Sequence, residues 1–356
     1  MQRSPLRWPD ASYHTVRILE GVSSGIREYR NIYRSSFDIE GFPFCKRLEL
    51  YCVARRGRDA LLIDTGNPDL CGTRALAGVS GMLGVPWEDT SVFMTHFHDD
   101  HDGNLPYCVS HHVKTVYSGA VRPATQERKD AFLRDVDARD LACDELDPYL
   151  DMLMVGNAAA WLGSTNHVTC HGGEVIPAAG FQFEVIATPG HTSNHLCLLD
   201  RERKILFSGD HVIDAPPGLP QLEPDQHLIE QYLKSLTLVR NLDLEVLLMS
   251  HHEPLFGSQS IDGFVHMIKE RYASLVRRTI GYVREAGRVS VREASVMAAR
   301  HYAHGLDGFS VAVRCRRIAT MFASLEYLHD RGLAERGTGD DGQLVYWLTS
   351  QGKLYY

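Results

Sequence analysis

The chain has 356 residues, a formal net charge of −8 and a hydrophobic fraction of 44%, which is the composition of an ordinary soluble globular protein. Its length exceeds what one hydrophobic core usually spans, so we expect one large and one small domain. It has no apolar run near the roughly 18 residues that a bilayer requires and no secretory block at the N-terminus, which predicts a cytoplasmic protein without a membrane partner.

Short apolar segments that end in polar turns run from about Ile18 to Ser250 and predict β-strands. The clearest are DALLIDTG, SVFMTHFH, FQFEVIATPGH, HLCLLD, KILFSGDH and LEVLLMSHH. Over about residues 123–163 the apolar positions recur instead at intervals of three to five residues, which indicates a helical insertion. This insertion either roofs a site or forms a plain surface pair of helices, and the spacing favours neither.

The pattern changes after Gly257. A long helix is predicted from Phe264 to its end at Gly287. Two helical stretches follow, VREASVMAARHYAHG and VAVRCRRIATMFASLEYLHDRG, and then two short strand candidates around a Gly/Asp turn. This order predicts a winged-helix-like domain over residues 257–356, after a catalytic domain over residues 1–256.

The sign of the net charge also changes at Gly257. Residues 257–356 carry 14 Lys and Arg against 10 Asp and Glu, whereas residues 1–256 carry 23 against 35. The acidic first part is a poor general partner for nucleic acid. The run RCRR, Arg314 to Arg317, opens the third helix of the tail, where packing or binding of a substrate anion is favoured over reading of DNA.

The stretch FMTHFHDDHDGN, residues 93–104, places three histidines and three aspartates within eight residues, directly after an apolar run. Histidine and carboxylate side chains are the ordinary ligands of zinc and related ions. In a loop that leaves a strand end, the pattern H-x-H-x-D-H can direct His96 and His98 to one metal ion and Asp100 and His101 to a second.

Four other predicted strands also end in residues of ligand type, namely Asp64, His191, Asp210 and His251. A buried strand exposes its terminal residues at one edge of the sheet, so ligands from several strand ends converge there without strain. The sequence therefore predicts a metal centre at that edge.

The segments THFHDDHDGN, DTG, TPGHT, SGDH and SHHEP resemble the metallo-β-lactamase superfamily, in order, over roughly Ile18 to Gly257. With TPGHTSNHLCLLD, LFSGDHVI and the tail, the chain looks like the branch that includes glyoxalase II-like thioesterases and a lactamase-like endoribonuclease. The resemblance implies an α/β fold, a four-layer αβ/βα sandwich that holds two divalent metal ions. These ions are usually zinc, with iron and manganese as alternatives.

The resemblance also implies a role for each matching residue. His96, His98 and His191 would bind the first metal ion, Asp100, His101 and His251 the second, Asp210 would bridge both, and Asp64 would orient a ligand or a nearby loop. Asp64, Asp100 and Asp210 are thus the predicted catalytic carboxylates. His252 stands where the family often has glycine, which leaves the choice between His251 and His252 open, although the HEP segment favours His251. His98 replaces the acidic residue of the di-iron electron-transfer relatives, which argues against redox chemistry.

Two divalent cations lower the pKa of a water between them and polarise the bond that it attacks, so the expected reaction is hydrolysis. The expected substrate is a small activated acyl compound, first of all a thioester. A thiolate, with a pKa of about 8.5, leaves without a dedicated general acid, and the sequence shows none. The basic tail suggests a substrate with an anionic carrier. Hydrolysis of a lactone, ester or β-lactam, a nuclease, and a binding protein with a vestigial metal site are the alternatives.

Overall fold

The structure, a computed structural model, describes residues 11–18, 31–39, 47–67, 70–122, 124–141, 146–155, 158–214 and 219–355. Within these ranges two mixed β-sheets and a small third sheet are present. The first sheet contains, in spatial order, β1 (Ala11–Ile18), β2 (Ile32–Ile39), β3 (Arg47–Arg55), β4 (Asp59–Ile63), β5 (Thr90–Phe93), β6 (Thr115–Ser118) and β7 (His167–Thr169). Neighbours are antiparallel from β1 to β4 and parallel from β4 to β7.

The second sheet contains β8 (Val175–Ala178), β9 (Phe181–Ala187), β10 (Leu196–Asp200), β11 (Ile205–Gly209), β12 (Val246–Met249) and β13 (Leu255–Phe256), again in sequence order. Its neighbours are antiparallel except for the parallel pair β11 and β12. β5, β10, β11 and β12 are buried along their whole length, which explains why they are continuous apolar runs rather than alternating ones. Each of the six strand candidates named from the sequence overlaps a strand of the structure.

The helices lie outside the two large sheets and in the C-terminal region. They are α1 (Leu70–Leu83), α2 (Asp99–Asp102), α3 (Leu105–Ser110), α4 (Gln126–Asp135), α5 (Leu146–Val155), α6 (Leu228–Arg240), α7 (Ser258–Ala286), α8 (Val291–Ala299), α9 (Val311–Asp330) and α10 (Ser350–Leu354). Short 3-10 helices occur at Trp87–Asp89, Arg139–Leu141 and Ala158–Ser164. No helix in the described ranges combines the length and the apolar character that crossing a bilayer requires.

Three hydrophobic clusters pack the sheets and helices together in layers. Tyr51 and Phe93 of the first sheet pack with Phe183 and Phe207 of the second, and the Tyr51 hydroxyl donates to the Met249 carbonyl at 3.0 Å. A second cluster joins the outer face of the first sheet to α1 and α3, and a third joins the second sheet to α6 and the first half of α7. The order helix, sheet, sheet, helix is the predicted four-layer α/β sandwich, and that prediction is confirmed.

The insertion and the C-terminal region share one core. Phe132 of α4 and Leu150 of α5 belong to the same buried cluster as Ile280 of α7, Phe322 of α9 and Tyr346. The insertion is therefore helical, as expected, and packs against the tail instead of forming an isolated surface pair. Since α7 contributes its first half to the second sheet and its second half to this cluster, the packing is continuous across residue 257.

The tail has the helical character that was expected, with a small sheet of β14 (Val289–Ser290), β15 (Ala334–Thr338) and β16 (Leu344–Leu348) in the order β14-β16-β15. α7 begins before the predicted start at Phe264, and Gly287, with φ of 77°, ends it. α8 stops at Ala299, short of its predicted length, and a turn with Gly305 at φ 61° follows. The winged-helix assignment stays a prediction.

Candidate metal centre

The predicted ligands follow the ends of five strands in the two large sheets. Asp64 follows β4, His96 follows β5, His191 follows β9, Asp210 follows β11 and His251 follows β12. His98 caps the N-terminus of α2, which itself contains Asp100 and His101. All seven predicted ligand residues fall into three overlapping clusters whose ligand atoms lie within 4.8 Å of one another.

Three histidines form the first half of the centre. The Nδ1 atom of His98 lies 3.0 Å from Nε2 of His96 and 3.1 Å from Nε2 of His191. A ring nitrogen carries either one proton or one lone pair, so Nδ1 of His98 cannot satisfy both neighbours. A cation at the point where the three nitrogens converge would satisfy all of them.

A carboxylate and two histidines form the second half. Nε2 of His251 lies 3.1 Å from Oδ2 of Asp100, and Nε2 of His101 lies 3.9 Å from Oδ1 of the same carboxylate. The side chains of His101 and His251 are almost completely buried, whereas Asp100 retains 16% of its exposure. Two imidazoles and one carboxylate are a donor set suited to zinc and to other divalent ions.

Asp210 lies between the two halves. Its Oδ1 atom is 3.2 Å from Nε2 of His101 and 3.3 Å from Nε2 of His251, while its Oδ2 atom is 3.5 Å from Nε2 of His191. One carboxylate oxygen thus faces each half of the centre. This is the geometry that a bridging ligand needs.

Neighbouring groups fix the orientation of the ligand rings. Nδ1 of His101 meets Oδ2 of Asp64 at 2.8 Å, and Nδ1 of His251 lies 2.7 Å from the Arg47 carbonyl. Asp64 is itself held by Thr95, whose backbone N–H and hydroxyl donate to it at 2.7 and 2.8 Å. Each ring therefore turns its Nε2 atom toward the centre, which is what outer partners of ligand histidines do. The sequence analysis missed Thr95 and Arg47.

The electrostatics of the histidines match these positions. Burial lowers the pKa of His96 and His191 well below the usual range, and it lowers the pKa of His98 to about 4, so the first half presents neutral imidazoles. Burial also opposes charge on His101, but the carboxylates of Asp210 and Asp64 outweigh it and raise the pKa of that ring. Excess negative charge therefore lies in the second half and at the bridge.

The carboxylates are held as anions. Burial would raise the pKa values of Asp100 and Asp210, yet His101 and His251 outweigh burial and hold both pKa values below the usual range. Metal binding requires ionised carboxylates and neutral imidazoles, which the carboxylates and the first half already provide, whereas His101 would release a proton when a cation binds. The residues present therefore fit two divalent cations.

Two histidines near the centre, His252 and His195, stand outside this set. His252 lies 2.8 Å from the Glu253 carbonyl through Nδ1 and packs on Phe264, so the structure brings His251 and not His252 to the centre. His195 packs 5.1 Å from the His96 ring and contacts the Thr188 hydroxyl at 2.9 Å.

The insertion borders the centre. A cavity of about 80 Å³ adjoins His191 and is lined by Leu153 and Met154 of α5 and by Arg122 and Arg128, among other residues. Both arginines pair with Glu223, at 2.6 and 2.5 Å. The insertion therefore lines a cavity beside the predicted ligand His191. Its role as a roof over the site stays a prediction.

The tail also approaches the centre. Burial is the strongest influence on the pKa values of His98 and His191. The positive charge of Arg316 on α9 lowers both pKa values further, with a smaller effect. Tyr149 of α5 packs in the same buried cluster as Cys315 of α9, and burial raises its pKa. The sequence had identified Arg316 only as a member of the RCRR run.

The sequence profile of the Metallo-beta-lactamase superfamily matches residues 51–251. The Lactamase-like protein aptB of Emericella nidulans is 26% identical over 188 residues, which is 53% of this chain and 46% of that protein. The chain thus spans less than half of the length of this relative. The Acyl-coenzyme A thioesterase MBLAC2 of Gallus gallus is 52% identical over 43 residues, covering 12% of this chain and 16% of that protein.

Among solved structures, a metallo-beta-lactamase family protein from Thermus thermophilus superposes with a TM-score of 0.70 at 19% sequence identity. The superposition covers 90% of this chain and 99% of that one. The similarity of fold therefore extends beyond the profile match and includes most of the C-terminal region.

Proposed function

The chain belongs to the metallo-beta-lactamase superfamily, and we propose on that premise that it is a two-metal hydrolase of an activated acyl compound, in the first place a thioester. The observation that carries the proposal is the position of Asp210. One of its oxygens lies near His101 and His251, and the other lies near His191. A carboxylate in this position can bind two cations at once and hold them at the spacing that two-metal hydrolysis uses.

When bound, two divalent cations, for which we propose zinc, would supply a water of lowered pKa and polarise the acyl carbonyl. The residues of the chain would bind the cations, orient the ligands and limit the access of water. The neutral rings of His96, His98 and His191 hold a cation without cancelling its charge. Asp64 fixes the tautomer of His101, because Nδ1 must keep its proton to donate to the carboxylate. The apolar side chains of Leu153 and Met154 limit the access of bulk water from the side of the insertion.

A thioester is favoured because the cavity next to His191 offers no acid for the leaving group. Apart from the ligand His191, the titratable side chains among its described lining residues are the two arginines Arg122 and Arg128, which do not release protons at neutral pH. A thiolate is a stable enough anion to leave unprotonated, whereas an alkoxide is not. The short match to an acyl-coenzyme A thioesterase supports the same choice.

Hydrolysis of an ester, lactone or β-lactam is the nearest alternative, because the same centre can attack any of these carbonyls. A substrate panel with matched acyl groups separates them. We expect kcat/KM for the thioester to exceed that for the oxygen ester and the lactone at least tenfold, with the activity lost after chelation and restored by zinc. A higher kcat/KM for a β-lactam or a phosphodiester would overturn the thioester proposal.

A further inference from the structure

A second and larger cavity lies in the C-terminal region, between α7, α8 and α9. Its volume is about 520 Å³, which is within the range of roughly 300–1,000 Å³ that is typical of small-molecule sites. It is much larger than the cavity of about 80 Å³ next to His191. Sequence patterns do not reveal it, because its walls come from three separate helices.

The wall of this tail cavity is positively charged. Arg278, Arg316 and Arg317 line it together with His301, and no carboxylate occurs among its described lining residues. Part of the remaining wall is apolar, including Met321. A cavity with several guanidinium groups and an apolar wall suits an organic anion, and guanidinium groups bind phosphate in particular through paired hydrogen bonds.

Arg317 is held in place without a protein carboxylate. Its guanidinium lies 4.8 Å from the ring centre of Tyr302 and 4.2 Å from that of Phe309, and it donates to the Tyr302 hydroxyl at 3.3 Å. Its Nε atom is buried and has no hydrogen-bond partner among the described residues. A buried donor without a partner is costly, so this atom is suited to an acceptor that a ligand brings.

Arg278 stands at the mouth of the cavity, where it is exposed, and donates to the Ser274 hydroxyl at 2.9 Å. Other arginines of the tail are neutralised within the protein: Arg292 by Asp140, Arg300 by Glu285, Arg314 by Asp307 and Arg336 by Glu326. In the described part of the chain, no ion pair joins Arg278 or Arg317 to a carboxylate. The cavity thus contains guanidinium groups that have no carboxylate partner among the described residues.

The helix α9 connects the tail cavity to the surroundings of the metal centre. Its residue Arg316 lines the tail cavity, and α9 packs in one core with α5, whose Leu153 and Met154 line the cavity next to His191. We propose that the tail cavity binds the phosphate-bearing carrier of the thioester substrate, with the acyl end directed past Arg316 to the metal centre. This inference rests on the proposed function, which it deepens by naming the carrier chemistry.

The test compares two thioesters of the same acyl group, one on coenzyme A, which carries phosphates, and one on neutral N-acetylcysteamine. Arg278→Glu is the test variant because this side chain is exposed, so its replacement does not disturb the core. Arg277→Glu is the matched control, since Arg277 is the adjacent exposed arginine of α7 and does not line the cavity. Binding of free coenzyme A is measured in parallel by calorimetry on the metal-loaded protein.

We expect Arg278→Glu to lower the ratio of kcat/KM for the coenzyme A thioester to that for the N-acetylcysteamine thioester at least tenfold, and to weaken coenzyme A binding similarly. Arg277→Glu should change both quantities less than twofold. Equal effects of the two variants, or no binding of coenzyme A by the parent protein, would overturn the inference. If the parent binds coenzyme A in a manner sensitive to Arg278 but hydrolyses neither thioester, the proposed function fails and the cavity stands as a phosphate-ligand site.

Discussion

The Nδ1 atom of His101 lies 2.8 Å from Oδ2 of Asp64, and this contact turns Nε2 of the ring toward Asp210, 3.2 Å away. Asp64 adopts φ of 62°, a left-handed conformation that aspartate tolerates better than most residues. The backbone and hydroxyl of Thr95 fix the same carboxylate. Asp64, which directly follows β4, thereby fixes the orientation of the predicted ligand His101.

Replacement of Asp64 tests this support. Asp64→Ala removes the acceptor that fixes the His101 ring, so zinc affinity of the second half should fall about 10- to 100-fold. Competition with a fluorescent zinc chelator measures the loss. Asp89→Ala, at an exposed position before β5, serves as the control and should bind zinc like the parent. Parent-like affinity in Asp64→Ala would show that His101 does not depend on this contact.

Asp210 should be essential for turnover. Asp210→Ala removes the carboxylate that faces both halves, so we expect hydrolysis rates to fall more than about 100-fold and the metal content to fall below that of the parent. Circular dichroism should show a fold that is largely intact, because the two sheets retain their apolar core. Rates within tenfold of the parent would mean that Asp210 does not bridge the metal ions.

Glu49 lies close to the second half of the centre, since its backbone N–H donates to the Ser250 carbonyl at 2.7 Å. Its side chain is completely buried, accepts from the Ser36 hydroxyl at 2.5 Å, and lies 3.6 Å from Nε of Arg34 and 3.5 Å from Nε of Arg47. Burial, opposed by Ser36 and Arg34, raises the pKa of Glu49 from 4.5 to about 7. The folded state therefore favours the protonated form.

Because the folded pKa is raised, the contribution of Glu49 to stability is fully present below about pH 4.5 and is lost as the pH rises toward 7. Glutamine does not titrate, so the Glu49→Gln variant does not lose this stability as the pH rises. The difference between its free energy of unfolding and that of the parent should therefore increase by roughly 2–3 kcal/mol between about pH 4.5 and pH 8. Urea unfolding at both pH values measures the difference, and the exposed Glu88→Gln should show almost none. A relative stability that falls with rising pH would contradict the assignment.

Glu326 on α9 ties the tail to the loop before α6. Its carboxylate accepts from the Tyr346 hydroxyl at 2.7 Å, from Arg336 at 2.6 Å and from the Asp225 backbone N–H at 3.1 Å. Glu326→Ala removes the acceptor of these three donors, of which Arg336 keeps only its longer contacts with Asp225, so the free energy of unfolding should fall by about 3 kcal/mol. Asp340→Ala, at an exposed position of the β15–β16 turn, should change it by less than about 0.5 kcal/mol. A loss for Glu326→Ala no larger than for Asp340→Ala would remove Glu326 as an anchor.

The clustering of the seven residues was predictable, because four of them follow apolar strands and the other three lie in the short motif after His96. Their roles as ligands stay a prediction that the family resemblance implies. The choice between His251 and His252 was harder, since both follow β12; in the structure His251 contacts the Arg47 carbonyl and faces Asp100 and Asp210. That contact joins residues 204 positions apart. Thr95 was missed for the same reason, because a threonine that holds Asp64 looks like any strand residue.

The outer helices and the C-terminal region were harder to predict from the sequence. The strand pattern expected between Ile18 and Ser250 overlooked α6, although Tyr232 and Leu236 lie on its buried face four residues apart. The tail cavity could not be predicted, because it depends on how α7, α8 and α9 pack. Spacing along one helix reveals an apolar face and not the space left between three helices.

The metal content of the purified protein tests the central claim most directly. Elemental analysis of protein that has never met a chelator should give close to two divalent ions per chain, since the seven predicted ligand residues converge on two adjoining half-sites. A content below one ion per chain that added zinc or manganese does not restore would contradict the two-metal centre, and with it the proposed hydrolase.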